Sequence, residues 1–283
     1  MKNIQKYILL ITVIVFSASS CSERYDIKLD ESFIRLVVDG IVTTDTTHQL
    51  VRITTSTSYF SNLEPPAVLG ATLYLDNGTE KILLKEDPKN AGYYYTPTEI
   101  YGIPGSSYEL DINLKEKIGN SDRYVAYTQM PTTYFTMDSI VLEYQQAFDF
   151  YLIKLYAFDP PTTDFYKFDA LINGIILTDT ASRSLIVDDR FFNGNNTNGL
   201  GVMFLRSTEV NTGDTITLLM SAISSDYYDF FVELRTEAGQ GNPLFSGPPA
   251  NIRSNILEGG LGYFAANITK KASIIVPNNP KDN

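Results

Sequence analysis

The chain has 283 residues, 43% hydrophobic, 12% aromatic and 19% charged, with 33 acidic against 22 basic side chains and a formal net charge of −11. That mixture is globular and excludes wholesale disorder, while the acidic balance argues against a protein that grips a nucleic-acid backbone. One Cys and one His exclude a disulfide scaffold and a Cys/His zinc site.

The first elements concern address rather than fold. Lys2 and Lys6 form a short basic region before an apolar run, Tyr7 to Phe16, followed by Ser17-Ala18-Ser19-Ser20-Cys21. Ten apolar residues make about 15 Å of helix, roughly half a bilayer core, so residues 1–20 read as a signal peptide and not as a span. Ala18-Ser19-Ser20-Cys21 resembles a bacterial lipobox, in which the Cys becomes the first residue of the processed protein and carries acyl chains such as palmitate. The alternative is an ordinary signal peptide with a Cys nearby. Lipidation is the expectation because Cys21 is the only Cys and directly follows small residues. Each buried methylene contributes about 0.8 kcal/mol, so several acyl chains would anchor a water-soluble body without a spanning helix. Residues 21–32 are polar and charged and read as a tether; Glu23, close after the Cys, hints at surface export.

From Phe33 the pattern changes to β-branched and aromatic runs broken by turn residues every 8–12 positions, the spacing of an antiparallel sandwich or barrel. Strands are expected at 33–42, 48–56, 70–75, 81–85, 92–96, 107–114 and 123–130, making an N-terminal β-sandwich domain of residues 33–130. Asp76-Asn77-Gly78 is a strong hairpin turn. In 107–114, Tyr108, Leu110, Ile112 and Leu114 share one face, and Glu109, Asp111 and Asn113 share a wet one. Tyr93-Tyr94-Tyr95 reads either as an aromatic platform for a sugar or peptide or, preferably, as a strand with rings alternating between core and surface.

A second β domain, 131–276, is expected after Pro131, with strands at 135–145, 150–158, 164–177, 184–189, 201–207 and 214–224. The period then changes. Tyr227, Phe230, Phe231 and Leu234 fall at i, i+3, i+4 and i+7, which predicts one amphipathic helix over 226–238 with its stripe against a sheet. Residues 240–262 follow as a long loop too apolar for a linker, then a strand at 263–269, and a polar tail from 277 to 283. Gly259-Gly260-Leu261-Gly262 lacks the strand-then-helix setting of a phosphate loop.

Four stretches together resemble a family of Bacteroidota lipoproteins known as domain of unknown function 4249. They are the lipobox at Cys21, LVVDGIVTTDTTHQLVRITTS at 36–56, the series across 66–114, and GNPLFSGPPANIRSNILEGGLGYFAA at 241–266. A departure is Phe264-Ala265-Ala266, where a glycine is expected after the aromatic. The 66–114 series also resembles prealbumin-like and carboxypeptidase-regulatory-like β domains. The fold expected is therefore mainly β: an N-terminal immunoglobulin-like or prealbumin-like antiparallel sandwich, then a second antiparallel β domain carrying one helix. The resemblance implies an outer-membrane lipoprotein with a TonB-dependent receptor as a possible partner. It supplies no catalytic residues.

Chemical motifs are sparse. No G-x-S-x-G pentapeptide occurs, and His48 reads as exposed at a strand start. A paired-carboxylate glycosidase has no specific signal among 33 acids. Asp188, Asp189 and the amide loop 193–199 offer oxygen ligands for Ca²⁺, against a solvated hairpin tip; the hairpin tip is the expectation, with no metal and no other cofactor. Candidate binding residues are Asn251, Arg253, Glu258 and Tyr263, on or beside the 240–262 loop. Arg253 suits a carboxylate or phosphate, or else pairs with Glu258 and pins the loop. The expected function is a lipid-anchored binding or accessory module. A structural or adhesive surface protein is the alternative, and a glycan- or peptide-active hydrolase comes third.

Overall fold

The structure, a computed structural model, describes residues 34–57, 63–178, 180–239 and 252–277. The signal peptide, Cys21, the tether, Asn251 and positions 278–283 lie outside the described residues. In the first half run β1 (Leu36–Thr43), β2 (Leu50–Thr55), β3 (Thr72–Asp76), β4 (Lys81–Leu83), β5 (Lys85–Glu86), β6 (Tyr93–Tyr95), β7 (Ser107–Ile118) and β8 (Ser121–Gln129). They form where side chains alternate with period two, so that Leu36, Val38 and Val42 of β1 and Leu110 and Ile112 of β7 point into one core. The β3–β4 turn closes as its residues dictate: Gly78 takes φ 82° and donates to Asp76 Oδ1 at 2.8 Å, while Asn77 Oδ1 accepts from the Thr79 and Glu80 amides. Tyr94 is fully buried, with its hydroxyl donating to the Val68 carbonyl and accepting from the Ala71 amide; its neighbours are half-buried, which is the strand reading of the tyrosine run.

The second half contains β9 (Thr136–Gln145), β10 (Phe150–Phe158), β11 (Phe165–Ile172), β12 (Ile175–Ile176), β13 (Leu185–Asp188), β14 (Leu200–Arg206), β15 (Thr215–Ile223), α1 (Ser225–Gly239) and β16 (Leu261–Ile275). The single strand expected at 164–177 is instead a hairpin, because Asn173 and Gly174 both take positive φ. The strand expected at 263–269 runs on to Ile275. Helix α1 starts where Ser224 Oγ accepts the Tyr227 amide at 3.2 Å. Its stripe does lie against the sheet: Tyr227 and Phe231 are buried with Ile186, Ile223, Tyr263 and Ala265, and Phe230 and Leu234 pack beside them. Burying an aromatic or aliphatic side chain contributes roughly 1.5–3 kcal/mol, far more than helix propensity supplies over such a length.

Three sheets result. A nine-stranded sheet runs β12-β11-β15-β16-β1-β2-β6-β5, with β13 also on β11; a four-stranded sheet runs β4-β3-β7-β8; a three-stranded sheet runs β14-β10-β9. The fold is mainly β and sandwich-like. Among the described residues every strand pair is antiparallel except one: β1 and β16 run parallel, with Val38 opposite Gly262 and Thr43 opposite Asn267. Residues 261–267 of β16 serve β1, and residues 268–275 serve β15. Fifteen residues span about 50 Å, enough to cross from one half of the chain to the other.

That strand corrects the expected division at Pro131. The residues from Ile34 onward cluster as one unit, and one apolar core contains Leu110 of β7 and Ile153 of β10 alike. The physical reason is that β16 donates one half of its ladder to each part of the large sheet and packs on both β8 and β9.

A second correction concerns the wet face of β7. Asp111 is buried, where Lys81 Nζ and Arg123 Nε each approach it to 2.9 Å. Burial pushes its pKa up, but the hydrogen bonds from Arg123 and Lys81 outweigh that and hold the carboxyl below the usual carboxylate range.

Candidate functional site

A cleft of about 1020 Å³ opens where the end of the β7–β8 hairpin sheet meets the 130–133 connector and the start of α1. Asp76, Glu109, Asp164 and Asp226 line it together with Thr132, Thr133, Ser224 and Ser225, and among the described residues no Lys or Arg does. Tyr127 and Tyr263 add aromatic surface. The site is built by rigid elements: β7 and β8 place Glu109 and Tyr127, the N-terminal turn of α1 places Asp226, and β16 places Tyr263. Tyr263 is buried against Tyr227, ring centroids 4.9 Å apart, and Phe230 at 5.1 Å. Burial, and then the nearby Asp226 carboxylate, raise its phenol pKa. A cleft of this charge, with hydroxyls and phenol rings, suits a cationic or polyhydroxylated ligand.

One wall is fixed by the segment 252–260. Asn255 Nδ2 donates to the Tyr127 carbonyl at 2.9 Å and to that of Phe264 at 2.7 Å, and its Oδ1 accepts the Phe264 amide. The Leu257 amide donates to the Val125 carbonyl, and Ile256 bridges Ala126. This part of the expected loop therefore covers the edge of β8.

Of the candidate binding residues, Tyr263 alone lines the cleft among those the structure describes. Arg253 does not pair with Glu258, as one expectation had it. Its Nη1 meets Asp229 Oδ2 at 2.8 Å and its Nη2 meets Glu233 Oε1 at 2.8 Å, both on α1, and its amide donates to Glu233 Oε2. Donating those hydrogen bonds, first of all to Glu233, raises the guanidinium pKa, while the amide and guanidinium together lower that of Glu233. Asp229 and Glu233 sit four apart on one helix face, one turn from each other, so a single fork reaches both. Glu258 is an exposed turn residue at φ 62°. His48 is exposed as expected, with Nδ1 2.6 Å from the Thr96 carbonyl oxygen and its ring edge-on to Tyr95.

The oxygen ligands weighed for Ca²⁺ are only partly brought together. Asp188 turns away and pairs with Arg190. Asp189 instead joins Asp159 and Asp164, three buried acids with oxygens within 4.8 Å of one another. Nothing in the sequence marks this set: Asp159 and Asp164 share the β10–β11 connector, whereas Asp189 comes from the loop after β13. Such a set offers oxygen ligands to a hard cation, yet each acid already has protein donors. Asp159 accepts from Tyr166 OH at 2.5 Å and the Gly194 amide at 3.3 Å; Asp164 accepts from Thr133 and Thr162; Asp189 accepts the Asp164 amide at 2.8 Å.

Desolvation raises the Asp159 pKa to about 6, and its acidic neighbours push the same way. The folded state therefore holds a proton that the unfolded chain releases nearer 3.8. The resulting stabilisation is complete below pH 4 and is lost as pH rises through 6. Asp159→Asn should accordingly gain on the parent chain by about 2–3 kcal/mol between pH 4 and pH 7.5 in urea titrations. A difference independent of pH would show that something other than a proton neutralises the three acids.

Fold and site together define a mainly antiparallel β protein with one packed helix and an acidic cleft. A family model described as domain of unknown function (DUF4249) matches residues 22–272, and the chain belongs to that family. No curated protein matches the sequence.

Proposed function

We propose that this chain is a lipid-anchored outer-membrane lipoprotein of the Bacteroidota type. In this reading it serves as a non-catalytic binding or accessory module for a TonB-dependent receptor or nutrient-uptake system. The observation that carries the binding role is the cleft of about 1020 Å³, whose walls are regular strands and a helix and whose lining is acidic, hydroxylated and aromatic. The lipobox-like Ala18-Ser19-Ser20-Cys21 supports the anchor. No helix among the described residues is long and apolar enough to cross a membrane; in this reading the anchor is the set of acyl chains on Cys21.

Two measurements on one strain test this. Cys21→Ala should move the protein out of the membrane fraction, and mass spectrometry of the parent protein should find an acylated Cys21 at its N-terminus. A mild-detergent pull-down of the parent should recover an outer-membrane receptor, and recovery should fall when Glu109 and Asp226 are both changed to amides. An unmodified N-terminus removes the anchor. Repeated recovery of the chain alone removes the receptor role and favours the structural or adhesive alternative, for which the exposed Phe148 and Phe204 rings beside Phe150 offer an apolar surface.

A further inference from the structure

A second cavity, of about 480 Å³, lies between the segment leading into β13, strand β14 and helix α1. Its charge is the reverse of the cleft and of the whole molecule. Arg183, Arg206 and Arg235 line it, with Glu209 as the single acid, in a chain that carries 33 acids and 22 bases. Glu209 is already committed on both oxygens: Oε1 takes Arg183 Nη2 at 2.6 Å and Oε2 accepts the Arg206 amide at 3.2 Å. It orients Arg183 and the β14 end without neutralising the other two guanidiniums. The side chains of Arg206 and Arg235 make no ion pair among the described residues. Thr178, Ser182 and Ser184 add hydroxyls to the lining, and Leu177, Leu185 and Met203 give it an apolar side.

Arg183 and Arg206 are exposed and Arg235 is half-buried, so water solvates them in the free protein, but three guanidiniums against one carboxylate leave the cavity net positive with donors open to an anion. A lone carboxylate is satisfied by one guanidinium fork. A doubly charged tetrahedral group with several acceptor oxygens uses two or three. We propose that this pocket binds a phosphorylated small molecule or headgroup, with its phosphate held by Arg183, Arg206 and Arg235 and its organic part against the Leu177–Met203 wall.

The test is calorimetric titration of the full chain, purified in non-ionic detergent at low salt, with inorganic phosphate and with glycerol phosphate. Saturable binding that weakens with added salt is expected. Arg206→Gln and Arg235→Gln should each weaken it about tenfold or more with melting unchanged. Arg190→Gln, an exposed arginine paired with Asp188 outside the pocket, should leave it intact. Glycerol phosphate should bind more tightly than inorganic phosphate. Mixed micelles containing phosphatidylglycerol separate the two sources: competition with glycerol phosphate assigns a lipid headgroup, and indifference assigns a soluble ligand. The proposal is overturned by the absence of saturable binding at millimolar phosphate, or by equal weakening in Arg190→Gln and the pocket variants.

Discussion

Gly262→Ala is expected to destabilise the folded state far more than Gly259→Ala. Gly262 sits at φ 85° in the parallel ladder, directly opposite Val38, and a Cβ there would lie 2.0 Å from the Val38 carbonyl oxygen and 2.9 Å from its carbon. Neither atom is the end of a flexible side chain. Relieving the overlap means pulling β16 from β1, and with it the one connection that joins the two parts of the large sheet. The left-handed backbone alone costs an alanine about 1–2 kcal/mol, and the clash takes the total above about 4 kcal/mol, a large share of the 5–15 kcal/mol that typically separates folded from unfolded. Gly259→Ala isolates the two effects. It has φ 79° with nothing near its added Cβ, so only the backbone penalty applies. Urea denaturation of the two variants should differ by several kcal/mol; similar midpoints would show that the β1–β16 approach is not tight.

Asp169→Ala should be the most damaging change of a charged side chain, at about 3–5 kcal/mol. Asp169 is 3% exposed on β11, pairs with Lys167, and accepts the hydroxyls of Thr178 and Ser184 at 2.7 Å each. Lys167 in turn lies 5.5 Å from the Phe231 ring centre, beneath α1. Removing the carboxylate strands an ammonium that is only 13% exposed and leaves two hydroxyls without their acceptor. Asp169→Asn keeps an oxygen for those hydroxyls and should cost less. The double replacement Lys167→Met with Asp169→Leu should recover much of the loss, because a buried pair is worth little against apolar packing and is harmful chiefly when broken. Equilibrium unfolding of the three variants ranks them; equal losses in single and double variants would refute the account.

Most strands, and the helix, are legible in the sequence because their signals are local. The alternation in β1 and β7 and the Tyr227, Phe230, Phe231, Leu234 stripe each depend on neighbours a few residues away. What is not legible depends on partners far along the chain. The parallel match of Val38 with Gly262 joins positions more than two hundred residues apart, and nothing in either segment marks the other. Asp111 reads as wet because alternation assigns it a face, but cannot say that Lys81 and Arg123 close over that face. Arg253 illustrates the same limit at shorter range: Glu258 is its neighbour in sequence, whereas α1 is its neighbour in space. The acidic cleft draws residues from β7, β8, α1 and β16, so Tyr263 was within reach as an aromatic beside an apolar loop, and Glu109 and Asp226 were not.

The position of β16 also sets a timetable. It follows every other described strand along the chain, yet it completes the hydrogen bonding of β1, the first. During synthesis, β1 and β15 must each wait with one bare edge until β16 emerges, and such edges invite wrong pairings. Contacts of this sequence separation also slow folding. The two halves thus cannot mature one after the other like beads on a string; the chain becomes safe from aggregation only once β16 has docked.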